Sequence, residues 1–180
     1  MSPIVVSVAK DKEHRFSKES VPSITLIEGV GVEGDAHAGA TVQHLSRIAI
    51  DPSVPNLRQV HLIHSELLDE LSEKGFEVGP ADLGENITTK GIDILSLPKG
   101  TILKIGEDAI VEVTGLRNPC KQIEKFRPGM LEVVLRKNEK GEIEKRAGIM
   151  GVVRKGGTIY ISDSIEVTLP EGEHVPLVGV

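Results

Sequence analysis

The stretch TILKIGEDAIVEVTG, residues 101–115, decides the class of fold. TILKIG and AIVEVTG are short apolar-rich runs on either side of GED at 106–108. Two such runs joined by a glycine-containing turn predict a β-hairpin. Working outward, residues 3–9 (PIVVSVA), 23–29 (SITLIEG) and 58–64 (RQVHLIH) also read as strands. Residues 142–169 close the chain with two or three more. Residues 29–40 (GVGVEGDAHAGA) hold four glycines, so regular structure breaks there. Residues 41–50 are open between strand and loop.

Helices are few and short. SELLDELSEKG at 65–75 carries an apolar stripe of Leu67, Leu68 and Leu71, with Ser65 expected as N-cap and Gly75 as the stop. Asn118-Pro119 reads as a second start, with Asn as N-cap, Pro at the first position and Cys120 in the first turn. Residues 130–138 are predicted to form a further short helix. The whole reads as one domain over residues 1–180: a mainly β barrel with two or three short peripheral helices and strands mostly sequential and antiparallel.

Composition narrows the function. Aromatic residues are 2% and hydrophobic residues 39% of the 180, so the core must be Val, Ile and Leu. The formal net charge is −6, with no long basic stripe and few rings to stack on bases; nucleic-acid binding is not expected. No segment approaches the ~20 apolar residues of a membrane helix. One cysteine excludes an internal disulfide and a cysteine-rich zinc site. The expectation is a soluble protein of a reducing cytoplasm.

That single thiol lies in TGLRNPCKQIEKFRPG, residues 114–129. Between Arg117 and Arg127 there are four basic side chains and one acidic one, in an otherwise acidic chain. Basic neighbours and a helix start both favour a thiolate, against the alternative of a buried inert cysteine. Three other segments carry candidates. EGDAHAG, residues 33–39, sets Asp35 and His37 among small residues that let a ligand approach the backbone. LGENITT, residues 83–89, offers Glu85 and Asn86, and an amide both donates and accepts, as reading the edge of a heterocycle requires. In RQVHLIH, alternation places His61 and His64 on opposite faces, which argues for structural histidines and against a zinc pair. Arg58 reads either as an anion clamp or as a surface residue.

In order and spacing, EGDAHAG, RQVHLIHSE, ADLGENITTKGID, LPKGTILKIG, VEVTGLRNPC, AGIMGVVRKGG and ISDSIEV resemble the MOSC family, named for the C-terminal domain of molybdenum cofactor sulfurase. The resemblance is to a stand-alone prokaryotic member. It implies a β-barrel-like fold and a site for the molybdenum cofactor, an anionic phosphorylated pterin that holds Mo through a dithiolene. Cys120 falls where the family has its Mo ligand or sulfur acceptor, and His37, Arg58, Glu85, Asn86 and Arg117 fall on motif positions expected to line the same pocket. It further implies a molybdenum-dependent reductase of N-hydroxylated small molecules, fed by a flavin or iron–sulfur electron-donor protein. The alternative is a sulfur-carrier or cofactor-handling module with a persulfide on Cys120, charged by a cysteine desulfurase; pyridoxal phosphate enters only through such a separate partner. A third reading is an interaction domain whose site has decayed.

Overall fold

A computed structural model describes residues 2–180. Its frame is an eight-stranded sheet. In chain order its strands are β1 (Ile4–Lys10), β2 (Glu19–Val21), β5 (Val60–His64), β6 (Ile87–Lys90), β7 (Ile102–Ile105), β8 (Ala109–Leu116), β11 (Ile149–Lys155) and β13 (Ile165–Thr168). They lie side by side as β13-β7-β8-β11-β5-β6-β1-β2. A second, three-stranded sheet sets β3 (Ser23–Ile27) between β4 (Gly31–Val32) and β12 (Gly157–Tyr160). A small ribbon pairs β9 (Leu135–Lys137) with β10 (Ile143–Lys145).

The hairpin at residues 101–115 forms as predicted, with Ile105 opposite Ala109 and Leu103 opposite Val111. Among the described residues every ladder is antiparallel but one: β5 and β6 run parallel, Leu62 opposite Ile87. Parallel neighbours need a crossover, and helix α2 (Ser65–Glu73) supplies it. The expected barrel is not closed. The large sheet ends at β13 and β2 with no ladder between them. A single bridge, Ile4 with Ser164, and the bonds Val5 N–H to Asp163 O (2.9 Å) and Ser162 N–H to Val5 O (2.8 Å) tie β1 to the segment before β13.

Two cores follow from the two faces of β5. Val60 and Leu62 enter a large Val/Ile/Leu core between the sheets, with Val5, Val8, Leu26, Ile105, Val111 and Ile159. Ile63 faces the other way, into a smaller core with Leu67, Leu68 and Leu71 of α2, Ile123 of α3 (Lys121–Phe126) and Met130 and Val134 of α4 (Met130–Val134). All three phenylalanines, Phe16, Phe76 and Phe126, pack at the edge of this smaller core.

Local expectations need four corrections. Strand β5 passes into α2 without an intervening residue, so the N-cap is His64 and Ser65 is already helical. Residues 41–50 contain a helix, α1 (Leu45–Ile48), which buries no side chain. The helix expected over residues 130–138 stops at Val134, because the chain turns back as the β9–β10 hairpin. There Asn138 Oδ1 accepts from the N–H groups of Lys140 (3.0 Å) and Glu142 (2.9 Å). Cys120 is the N-cap of α3 in extended conformation (φ −132°, ψ 173°), one residue ahead of the first turn.

Candidate functional site

Beside the smaller core the chain leaves a cavity of about 650 Å³. Six separate segments build its wall. The loop after β1 brings His14, Arg15, Phe16 and Lys18; the glycine-rich loop and α1 bring His37, His44 and Arg47; the entry and middle of β5 bring Arg58 and His61. The turn before β6 adds Leu83, Gly84 and Asn86, the end of β8 and start of α3 add Arg117, Cys120 and Lys121, and β11 adds Met150. Among the described residues the wall therefore carries six cationic side chains and no carboxylate. Among the described residues, Arg47, Arg58, Arg117 and Lys121 have no carboxylate within ion-pair distance.

Cys120 is free and exposed at this wall, its Sγ 3.6 Å from Gln122 Oε1. The cations around it are only partly those of its own segment. Arg127 turns away, stacking on Phe126 at 4.1 Å and donating to Glu77 O at 2.8 Å. Arg58 arrives instead from the entry to β5. Burial, then the charges of Arg47 and Arg117, lower its pKa to about 10, and its Nε is buried without a partner. Arg117 is buried, donates from Nη1 to Leu83 O at 2.5 Å and lies 5.6 Å above the Phe16 ring. Burial lowers its pKa while Cys120 and Glu85 act in the opposite sense.

The glycine-rich loop is held by Asp35, whose side chain is fully buried. Its Oδ1 accepts from Lys18 Nζ (2.7 Å) and Asp11 N–H (3.1 Å), and its Oδ2 from His37 N–H (3.0 Å). Burial opposes its ionisation, but the adjoining His37 and the charge of Lys18 outweigh it and hold the carboxyl well below its ordinary value. His37 stacks on His44 (centroids 4.3 Å apart) and meets His14 edge-on (5.2 Å). Burial lowers the pKa of His37, and burial with the charge of Arg58 takes His44 down to about 3. Both rings are therefore neutral near pH 7.

Of the residues singled out from sequence, the fold brings Cys120, His37, Arg58, Asn86 and Arg117 to one cavity and leaves Glu85 out of its wall. Glu85 is 0% exposed, neither carboxylate oxygen has a hydrogen-bond partner, and burial raises its pKa to about 7. Asn86 reaches the cavity with its amide already engaged. Oδ1 accepts from His61 N–H (3.1 Å), and Nδ2 donates to Ala9 O (3.2 Å) and Asp35 Oδ1 (3.4 Å). Both donor hydrogens expected for reading a heterocycle serve the protein itself. His61 is structural as read, its Nε2 bonded to Ala147 O at 2.9 Å. Sequence reasoning missed Lys18, His44 and Arg47. The one available signal, for Lys18, was HRFSK at residues 14–18, a basic cluster a few residues beyond a strand.

The MOSC domain model matches residues 34–166, and the chain belongs to the MOSC family. Among solved structures it is similar to the YuaD protein of Bacillus subtilis, at 22% identity and a TM-score of 0.75, covering 95% of this chain and 98% of that one. It is also similar to YiiM from Escherichia coli (20% identity, TM-score 0.62, 97% and 73% covered) and YiiM from Geobacillus stearothermophilus (17%, 0.60, 97% and 77%). These likenesses are likenesses of fold. No curated protein matches the chain. Among the described residues no helix is long and apolar enough to cross a membrane.

Proposed function

We propose that this protein binds the molybdenum cofactor in the cationic cavity, with Cys120 as the protein ligand to Mo, and reduces N-hydroxylated small molecules. The observation that carries the reading is one exposed thiol opening onto a wall of six cations and no carboxylate. The donor set fits the group: a soft thiolate suits a metal already held by sulfur, and cations without counter-charges suit an anionic pterin phosphate. A volume of about 650 Å³ lies within the usual range for small-molecule sites. When bound, the cofactor supplies the two-electron chemistry that removes oxygen from an N–O bond. The chain's own residues bind and orient. Arg58, Arg117, Arg47 and Lys121 offset negative charge, and the neutral rings of His37 and His44 form a wall that adds none. Electrons come from a separate flavin or iron–sulfur protein, and the reading places the protein in the cytoplasm.

The test is metal and pterin content of protein made in a host that synthesises the cofactor. Mo near one per chain is expected, and Cys120→Ala is expected to lose both metal and activity. Full metal content in that variant overturns the ligand assignment. A second reading has its own support: the thiol is exposed, and its nearest side-chain partner is an amide oxygen 3.6 Å away, which leaves it open to attack a sulfur donor. On that reading Cys120 carries a persulfide delivered by a cysteine desulfurase, the pyridoxal phosphate staying with that partner. Mass spectrometry without reductant then finds one added sulfur, ~32 Da, and no Mo.

A further inference from the structure

Lys18 lies outside the segments on which the family resemblance rests, yet it lines the cavity with its side chain 4% exposed. It spans two acceptors: Asp35 Oδ1 at 2.7 Å and His37 Nδ1 at 3.3 Å. An ammonium has three hydrogens and no acceptor, so Nδ1 of His37 faces a donor and must offer its lone pair. The ring proton is thereby directed to Nε2. The competing acceptor for a proton on Nδ1 is Asp35 Oδ2, at 3.6 Å, which already takes the His37 backbone N–H at 3.0 Å.

We infer that Lys18 is a positioning residue that fixes His37 as the neutral Nε2–H tautomer, making the ring a hydrogen-bond donor, and not a base, toward an anionic or carbonyl-bearing ligand in the cavity. The groups that face His37 agree with this. Lys18 lies on one side, His44 stacks on the ring, His14 meets its edge, and the one neighbouring carboxylate, Asp35, is taken up by Lys18, Asp11 and the His37 backbone. A protonated His37 would set a second cation against the Lys18 ammonium. A deprotonated Nε2 would leave the ring no hydrogen to offer an anion in the cavity that His37 lines.

The inference deepens the proposed cofactor site, but its test does not need the cofactor. Long-range 1H–15N spectra of the apo protein, with His37 assigned by loss of its signals in His37→Gln, report which ring nitrogen carries the proton. The wild-type protein is expected to show Nε2–H in at least ~tenfold excess from about pH 6 to 8. In Lys18→Met the ammonium is gone and Asp35 becomes the nearest partner of Nδ1, so the population is expected to shift toward Nδ1–H. Nδ1–H or a mixed population in the wild type overturns the inference even if the variant does not fold. An unchanged tautomer in a folded Lys18→Met overturns it as well. Loss of Mo with the tautomer intact would instead count against the cofactor reading.

Discussion

At the scale of single residues, the site is built from groups that cost stability without a ligand. Arg58 is desolvated, faces Arg47 and Arg117, and has a buried Nε with no partner. An anion removes that penalty. Arg58→Gln is therefore expected to leave the melting temperature of the apo protein unchanged or slightly higher, and to weaken binding of inorganic phosphate roughly tenfold by calorimetry. Glu85 makes a second residue-scale prediction. Its folded pKa is near 7 against an ordinary 4.5, so the stability it contributes is present below pH 4.5 and is lost as pH rises through about 7. Glu85→Gln is expected to abolish that loss, up to roughly 3 kcal/mol, read as the difference between the two urea-denaturation profiles over that range.

At the scale of elements, α2 and the turn before β6 hold one wall of the cavity. Leu71 of α2 is fully buried in the smaller core, so Leu71→Ala is expected to cost about 2–5 kcal/mol of unfolding free energy. Gly84 lies in the cavity wall at φ 88°, and a β-carbon there would stand 2.5 Å from the Phe16 carbonyl oxygen. Gly84→Ala is expected to cost about 1–3 kcal/mol and to displace the loop that carries Phe16 and Lys18, seen as chemical-shift changes at those residues. Both elements show how far sequence patterns reach. The Leu67, Leu68 and Leu71 stripe and the glycine stop were legible because helical periodicity is local. The cap positions at His64 and Cys120 were not, because each depends on how the preceding strand enters the helix.

At the scale of the whole molecule, one buried histidine, His61, and three half-buried ones, His37, His44 and His64, have lowered pKa values, in each case chiefly through loss of solvent. The unfolded chain binds these protons near pH 6.5 and the folded one does not. Their contribution is thus present above pH 6.5 and lost as pH falls below it. Unfolding monitored by circular dichroism is expected to show a steep acid limb beginning near pH 6.5, shallower in a His44→Phe variant.

The order of the strands shows the same limit as the helix caps. Short apolar-rich runs bounded by turn residues marked the hairpin of β7 and β8 and the strand β5. It did not show that β11 would lie between β8 and β5, or that β5 and β6 would run parallel, because pairing between distant strands leaves no periodic trace in either one. The sequence by itself determined a Val/Ile/Leu core, a mainly β chain and a lone thiol in a basic segment, since these follow from composition and short-range pattern. Only the tertiary structure decided which cations share a cavity with that thiol. Arg127 leaves, and Lys18, Arg47 and Arg58 arrive from a loop, a short helix and the entry to a strand far away in the chain. Charges separated in sequence meet only where backbone pairing and apolar burial bring their segments together, and local pattern encodes neither.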